Sequence, residues 1–191
     1  YNYTGYFRHH SNHPPGDYLR PILSFDGNEA CACKGGIWLV ASQGTLARAE
    51  QNYLPQTLSN FVGWNINHFG VRSYHEAHTT YDDMTIVFDP SVSSRNAGRP
   101  NKYFMRFVST GVDVGNGFYE AYNLTFRDLK VSGANLGIAT SASPLDFFDL
   151  IDGQFANTID ILIDGPSQSK TNLENIEHFE SEVTPVLMHS Y

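Results

Sequence analysis

Tyr74-His75-Glu76-Ala77-His78 carries the side chains best suited to hold a metal ion. Zinc proteases place two histidines four residues apart on a helix, so that both imidazoles converge on one face beside a glutamate base. Here His75 and His78 are three apart, and the following Thr79-Thr80-Tyr81-Asp82-Asp83 does not continue a helix. An extended strand sends the two rings to opposite faces. The segment therefore reads as loop or contact histidines rather than a metal site. His9, His10 and His13 cluster in a Pro-rich stretch, where such a group traps adventitious metal without being a site. Cys31 and Cys33 are separated by one residue. In an extended segment they share a face, with Cα atoms near the upper limit of about 6.8 Å for a disulfide, so a bridge between them is strained. They read first as reduced, packed thiols. An intermolecular disulfide and half of a metal site stay open as alternatives, although there is no second Cys pair to complete a metal site.

Other chemistries find less. The chain has no Gly-x-Ser-x-Gly elbow and no Gly-rich loop followed by Lys and Ser or Thr. Gly111-Val-Asp-Val-Gly-Asn-Gly117 leads into a strand pattern and reads as a hairpin turn. Asp82, Asp83, Asp146, Asp149, Asp152, Asp160 and Asp164 supply carboxylates, and a pair of them roughly 5–9.5 Å apart across a cleft can hydrolyse a glycoside. Asp146 is better explained as charge at a helix start, and Asp160 and Asp164 as the wet face of a strand. The sequence thus names no catalytic, cofactor-binding or metal-ligating residue, implies no cofactor, and predicts no enzyme. Asn2-Tyr3-Thr4 and Asn123-Leu124-Thr125 match the N-glycosylation triplet, which three residues often match by chance.

Composition bounds what could position such groups. At 191 residues the chain suits one core, and with 41% hydrophobic, 14% aromatic and only 17% charged residues it has the makeup of a folded domain. The net charge is -8, and the 12 basic residues are scattered singly, which excludes the basic stripe that nucleic-acid binding needs. Apolar runs such as Gly36-Ile-Trp-Leu-Val-Ala41 fall far short of the roughly 20 residues that span a bilayer as a helix. No nucleic acid and no membrane is expected as partner.

Residues 1–20 are rich in Tyr, Asn, His and Pro with no sustained period, and read as an N-terminal arm that reaches onto a neighbouring subunit. Residues 21–191 read as a single domain. Short apolar runs alternate there with turn signals at Asp26-Gly27-Asn28, Lys34-Gly35-Gly36, Asp89-Pro90, Asn96-Ala97-Gly98, Gly115-Asn116-Gly117 and Asp152-Gly153. Strands are predicted at Phe118–Phe126, where Phe118, Tyr122, Leu124 and Phe126 share one parity, and at Thr158–Asp164, where Ile159, Ile161 and Ile163 face one way and Asp160, Leu162 and Asp164 the other. Further strands are predicted at Ile37–Ala41, Met84–Phe88, Tyr103–Val108 and Val183–Met188, with Pro185 marking an edge. Two short helices are predicted. One is Thr45–Tyr53, stopped by Pro55; the other starts at Ser143-Pro144, places Leu145, Phe148 and Ile151 on one face, and ends at Gly153. With no internal repeat detected, the expected fold is mostly β, an antiparallel two-sheet sandwich of jelly-roll type with two short helices.

The order of several segments resembles polyhedrins, the matrix proteins of viral occlusion bodies in the baculovirus and cypovirus branches. These segments are Phe61-Val-Gly-Trp64, Met84-Thr-Ile-Val-Phe88, Arg99-Pro-Asn-Lys-Tyr-Phe104, Val131-Ser-Gly133, Asp146-Phe-Phe148, the isoleucine strand to Asp164-Gly165, and the acidic stretch Glu174–Glu182 before the tail at Tyr191. The resemblance implies a jelly-roll homo-oligomer, a trimer, that packs with copies of itself into a lattice around virus particles. Such a protein lies in occlusion bodies of infected cells, uses no cofactor and dissolves in alkali. A jelly-roll capsid or fibre assembly protein and a secreted carbohydrate-binding module are the alternative readings.

Overall fold

A computed structural model describes residues 22–40, 55–74, 76–89, 109–114, 121–141, 147–164, 170–179 and 184–189. The strands are β1 (Glu29–Cys31), β2 (Gly35–Val40), β3 (Gln56–Ile66), β4 (Phe69–Tyr74), β5 (Glu76–Phe88), β6 (Thr110–Val114), β7 (Ala121–Ser132), β8 (Leu136–Ser141), β9 (Phe147–Ile151), β10 (Gln154–Ala156), β11 (Ile159–Asp164), β12 (Lys170–Glu174), β13 (Glu177–His178) and β14 (Thr184–His189). Sheet A has 8 strands along the path β1-β3-β5-β7-β10-β13, with β9 and β12 beside it, and sheet B has the 6 strands β14-β11-β8-β6-β4-β2. Every pairing is parallel.

Successive strands alternate between the two sheets, except that β9 with β10 and β12 with β13 follow one another in sheet A, and each sheet keeps sequence order. Parallel neighbours cannot be joined by a tight hairpin, and here the chain returns by way of the opposite sheet. The result is a coil of stacked rungs, one strand of sheet B to each rung, which is a parallel β-solenoid. This corrects the antiparallel jelly-roll expectation, including the jelly roll implied by the resemblance to polyhedrins. Period-2 alternation does mark strands, as with buried Leu124 and Phe126 in β7, but it is the same for parallel and antiparallel pairing.

Among the described residues there is no helix. The predicted helix from Ser143 to Gly153 is replaced over Phe147–Ile151 by β9, which buries Phe148 and Leu150 and turns Asp149 outward. Alternation defeats the three-residue spacing because β9 pairs with β7 on one side and β12 on the other. The helix at Thr45–Tyr53, the strand at Tyr103–Val108 and the arm 1–20 lie outside the described residues. Pro185 does lie in the outermost strand of sheet B, where its missing N–H costs no ladder bond on the open side.

Each described rung has a bend of positive φ at one shared position of sheet A: Gly27 (64°), Asn60 (52°), Asp83 (50°), Asp128 (50°), Asp152 (56°) and Asn175 (53°). Neighbouring register pairs place these six in one column. Only Gly, Asn and Asp occupy it, the residues that enter the left-handed region at least cost. The bend also reverses the inward parity, so that Leu58 and Phe61, or Phe126 and Leu129, are both buried across it. Side chains bridge adjacent bends. Asn175 Nδ2 donates to Asp152 Oδ1 at 3.0 Å, and Asn60 Nδ2 and Ser59 Oγ donate to Asp26 Oδ1, which holds the Asp26 carboxyl below its usual range.

The interior is layered by the same register. Tyr81 stacks on Phe126 with centroids 4.5 Å apart and planes 4° apart, and Phe126 meets Phe148 at 5.6 Å. In sheet B, Gly36, Gly70, Gly111 and Gly137 turn inward at one level of the stack. A Cβ there would lie 2.5, 2.6, 2.4 and 2.4 Å from the carbonyl oxygen of the next rung, and those at Gly70 and Gly111 would also strike Ile86 and Val131. The neighbouring positions Ile37, Val71, Val112 and Ile138 are buried in the same core, so two consecutive residues of each of these strands face inward.

The glycine column leads to an expected outcome. Gly111→Ala should destabilise the fold by about 1–3 kcal/mol, the usual cost of overpacking, because both obstacles are rung-to-rung contacts. Gly27→Asn should be close to neutral, since Asn tolerates positive φ and nothing lies within 4 Å of a Cβ there. Urea midpoints measure both, and equal midpoints for the two variants would contradict the stacking.

Candidate functional site

The outward positions of sheet A form straight columns. One runs Cys31, Trp64, Val87, Ser132, Ala156 through paired positions, with Phe179 beside Ala156 past the last registered pair, where its N–H donates to the Phe155 carbonyl at 2.6 Å. This column carries no charged residue. Its neighbour runs Glu29, Val62, Thr85, Lys130, Gln154, Glu177. Val62, Trp64 and Val87 are contiguous across the two columns and remain 42%, 44% and 40% exposed, and Phe179 is 50% exposed. The Trp64 indole N–H donates to Glu29 Oε1, which pins the ring at the first rungs while leaving much of it in solvent. Strand neighbours sit about 4.8 Å apart, so the uncharged column runs as a strip along the direction in which the strands stack.

The residues singled out from the sequence disperse over this frame in a way that the register explains. His78 has φ 52° and Asn123 has φ 49°; they occupy equivalent positions of β5 and β7, and Asn123 Nδ2 lies 3.2 Å from His78 Nδ1. The Asn123 triplet is thus within a paired strand. His75, His9, His10, His13, Asn2 and Asp146 lie outside the described residues, as do the side chains of Glu76 and Asp164. Among the described residues no group of three or more His, Cys, Asp or Glu side chains is placed to share a metal ion. Asp83 and Asp152 are bend residues, and Asp82 and Asp149 are half-buried on the outside of sheet A.

Cys31 and Cys33 do not share a face. Ala32 between them has φ 48°, so Cys31 is exposed in the uncharged strip and Cys33 is buried. Cys33 Sγ donates to the Gly35 carbonyl at 3.2 Å, and burial, with the Cys31 charge second, pushes its thiol up.

Asp160 requires a correction. The alternation of its strand places it on the wet face, yet it is 0% exposed. It stands one rung beyond Gly137 in the inward glycine column, where β11 turns both Asp160 and Ile161 to the interior, while Leu162 packs with Leu136, Ala139 and Ile159 in a separate cluster. Asp160 Oδ1 accepts the Asn157 backbone N–H at 2.9 Å and Asn157 Nδ2 at 3.2 Å, and Oδ2 lies 2.8 Å from His178 Nδ1. A buried carboxylate needs donors for its lone pairs, and a proton on Nδ1 of His178 supplies one to Oδ2. Asn157 further donates from Nδ2 to the Val131 carbonyl at 3.0 Å and accepts the Ala134 N–H at 3.0 Å on Oδ1. Sequence reasoning misses His178 and Asn157. Their signal is the repeat itself, since Asn157 follows its partner Ala134 by 23 residues, the same offset as Glu177 from Gln154 and Thr79 from Gln56.

No family model matches the chain, and no curated protein or solved structure matches it.

The two cysteines give a direct check on the geometry. Ellman's reagent should modify Cys31 at the rate of an exposed thiol and Cys33 only after denaturant is added. Equal rates for the two in the native protein would contradict the turn at Ala32.

Proposed function

We propose that this chain is a structural protein that associates side by side with copies of itself through the uncharged outer strip of sheet A. The observation that carries this reading is the contiguous exposure of Val62, Trp64 and Val87 on adjacent strands of a parallel sheet. Exposed apolar patches of this kind mark protein contacts, and Trp is enriched at them. A chain of net charge -8 repels its copies, so two copies meet at least cost where neither presents charge. Burying what remains exposed of these three side chains stabilises a contact by on the order of 5 kcal/mol per copy. The loss of rigid-body freedom opposes this with a similar magnitude. The association is therefore weak and concentration-dependent unless several copies join.

Among the described residues Glu29 and Glu177 stand at the two ends of one column, so stacking these rungs directly on those of a second copy would set like charges in register. The terminal strands β1 and β13 are 3 and 2 residues long, and the outermost strand of sheet B contains Pro185, features that blunt a sheet edge. The self-assembly reading drawn from the polyhedrin resemblance is kept here on the strip alone, without the jelly roll.

Light scattering after gel filtration over a hundredfold range of concentration tests this. The unmodified chain should grow in mass with concentration, and Val87→Lys should shift that growth at least tenfold higher with an unchanged circular dichroism spectrum. A monomer at all concentrations, or a Val87→Lys protein that associates like the unmodified chain, would contradict the proposal. Quenching of Trp64 fluorescence by oligosaccharides in a chain that stays monomeric would favour the carbohydrate-binding alternative.

A further inference from the structure

In three successive rungs an inward glycine of sheet B makes room for a bulky side chain of the following rung. A Cβ on Gly70 would lie 2.5 Å from Ile86, one on Gly111 2.4 Å from Val131, and one on Gly137 3.0 Å from Phe155. Ile86, Val131 and Phe155 are one inward column of sheet A. The next member of that column is His178, and the next position after Gly137 is Asp160. The relation repeats once more, but the contact is now a 2.8 Å hydrogen bond between a fully buried carboxylate and a partly buried imidazole.

We propose that Asp160 and His178 form a lock that holds the last described rung, β12 to β14, in register with the rung before it. Apolar contacts hold rungs together without fixing their alignment sharply, whereas a buried carboxylate is satisfied only where its donors reach it. The last described rung pairs along β12 with β9 and along β14 with β11, and the part between them is held by less. Its strand β13 has 2 residues, its backbone bonds on sheet A include Glu177 N–H to the Gly153 carbonyl and Phe179 N–H to the Phe155 carbonyl, and its apolar members Leu173 and Ile176 are only partly buried. The side-chain bonds from Asn175 to Asp152 and from Gln154 to Glu177 are exposed. The Asp160 contact ties this rung to a fully buried group, and Asn157 holds the carboxylate ready for it from the turn before β11.

The test is amide hydrogen exchange by mass spectrometry on Asp160→Gly, His178→Phe and the double variant. The double variant rebuilds the glycine-to-phenylalanine contact seen between Gly137 and Phe155. Each single variant should exchange at least tenfold faster over Leu173–Phe179 while Met84–Phe88 exchanges as in the unmodified chain, and the double variant should return Leu173–Phe179 to within threefold. A single variant that exchanges like the unmodified chain, a double variant no better than the worse single one, or equal loss of protection at Met84–Phe88 would overturn the lock. Nitrogen chemical shifts of His178 give a readout that needs no substitution: protonation at Nδ1 is expected, and an Nε2–H tautomer would overturn it.

Discussion

A chain that stacks rung on rung must bend at the same point in every rung, or the hydrogen bonds between neighbouring strands lose register. In this protein one such point is a column of positive-φ residues, Gly27, Asn60, Asp83, Asp128, Asp152 and Asn175, and His78 and Asn123 repeat the conformation at a second. Each bend reverses the inward parity of its strand, and therefore determines which side chains reach the core and which form the outer columns. The core layers of sheet A and the strip from Cys31 to Ala156 depend on keeping those six residues aligned.

The interior shows what such alignment costs and gains. Stacking identical backbone positions brings each inward glycine of sheet B within close range of the carbonyl of the next rung, leaving no space for a side chain at the first four levels. At the fifth level the column accepts Asp160, and a buried carboxylate is tolerated because Asn157 and His178 satisfy it. Other buried polar groups are handled in the same rung-to-rung manner. Gln56 links Thr79 in the following rung to the Ile22 N–H in the preceding one. Asn135 Oδ1 accepts from the Ser109 hydroxyl at 2.9 Å. The buried Arg72 guanidinium lies 4.3 Å over the Phe69 ring and bonds Asp113 at 2.8 Å, which satisfies its charge and its apolar stem together.

Strands are legible in the sequence wherever alternation is clean, as at Met84–Phe88 and Leu124–Phe126. Their direction is not, because alternation carries no sign of parallel or antiparallel pairing. The turn signals at Asp26-Gly27 and Asp152-Gly153 are real, but a bend within a sheet and a hairpin use the same residues. A spacing of 23 residues links Gln56 to Thr79 and Asp152 to Asn175, yet longer segments between other rungs interrupt the period and hide the repeat. Asp160 is misplaced by sequence reasoning for a related reason: two consecutive inward residues break the parity on which its outward assignment depends. The outer strip is illegible because Cys31, Trp64, Val87, Ser132 and Ala156 become neighbours only through the register.

Parallel, in-register pairing of β5 with β7 is the claim on which everything else rests, and paired spin labels test it most directly. Labels at Thr80 and Thr125, and separately at Thr85 and Lys130, occupy partners in the register. Both pairs should show strong dipolar broadening, as expected for strands about 4.8 Å apart. Antiparallel strands that brought Thr80 beside Thr125 would carry Lys130 roughly 33 Å away from Thr85, at about 3.3 Å per residue. Broadening in the first pair with none in the second would contradict the solenoid.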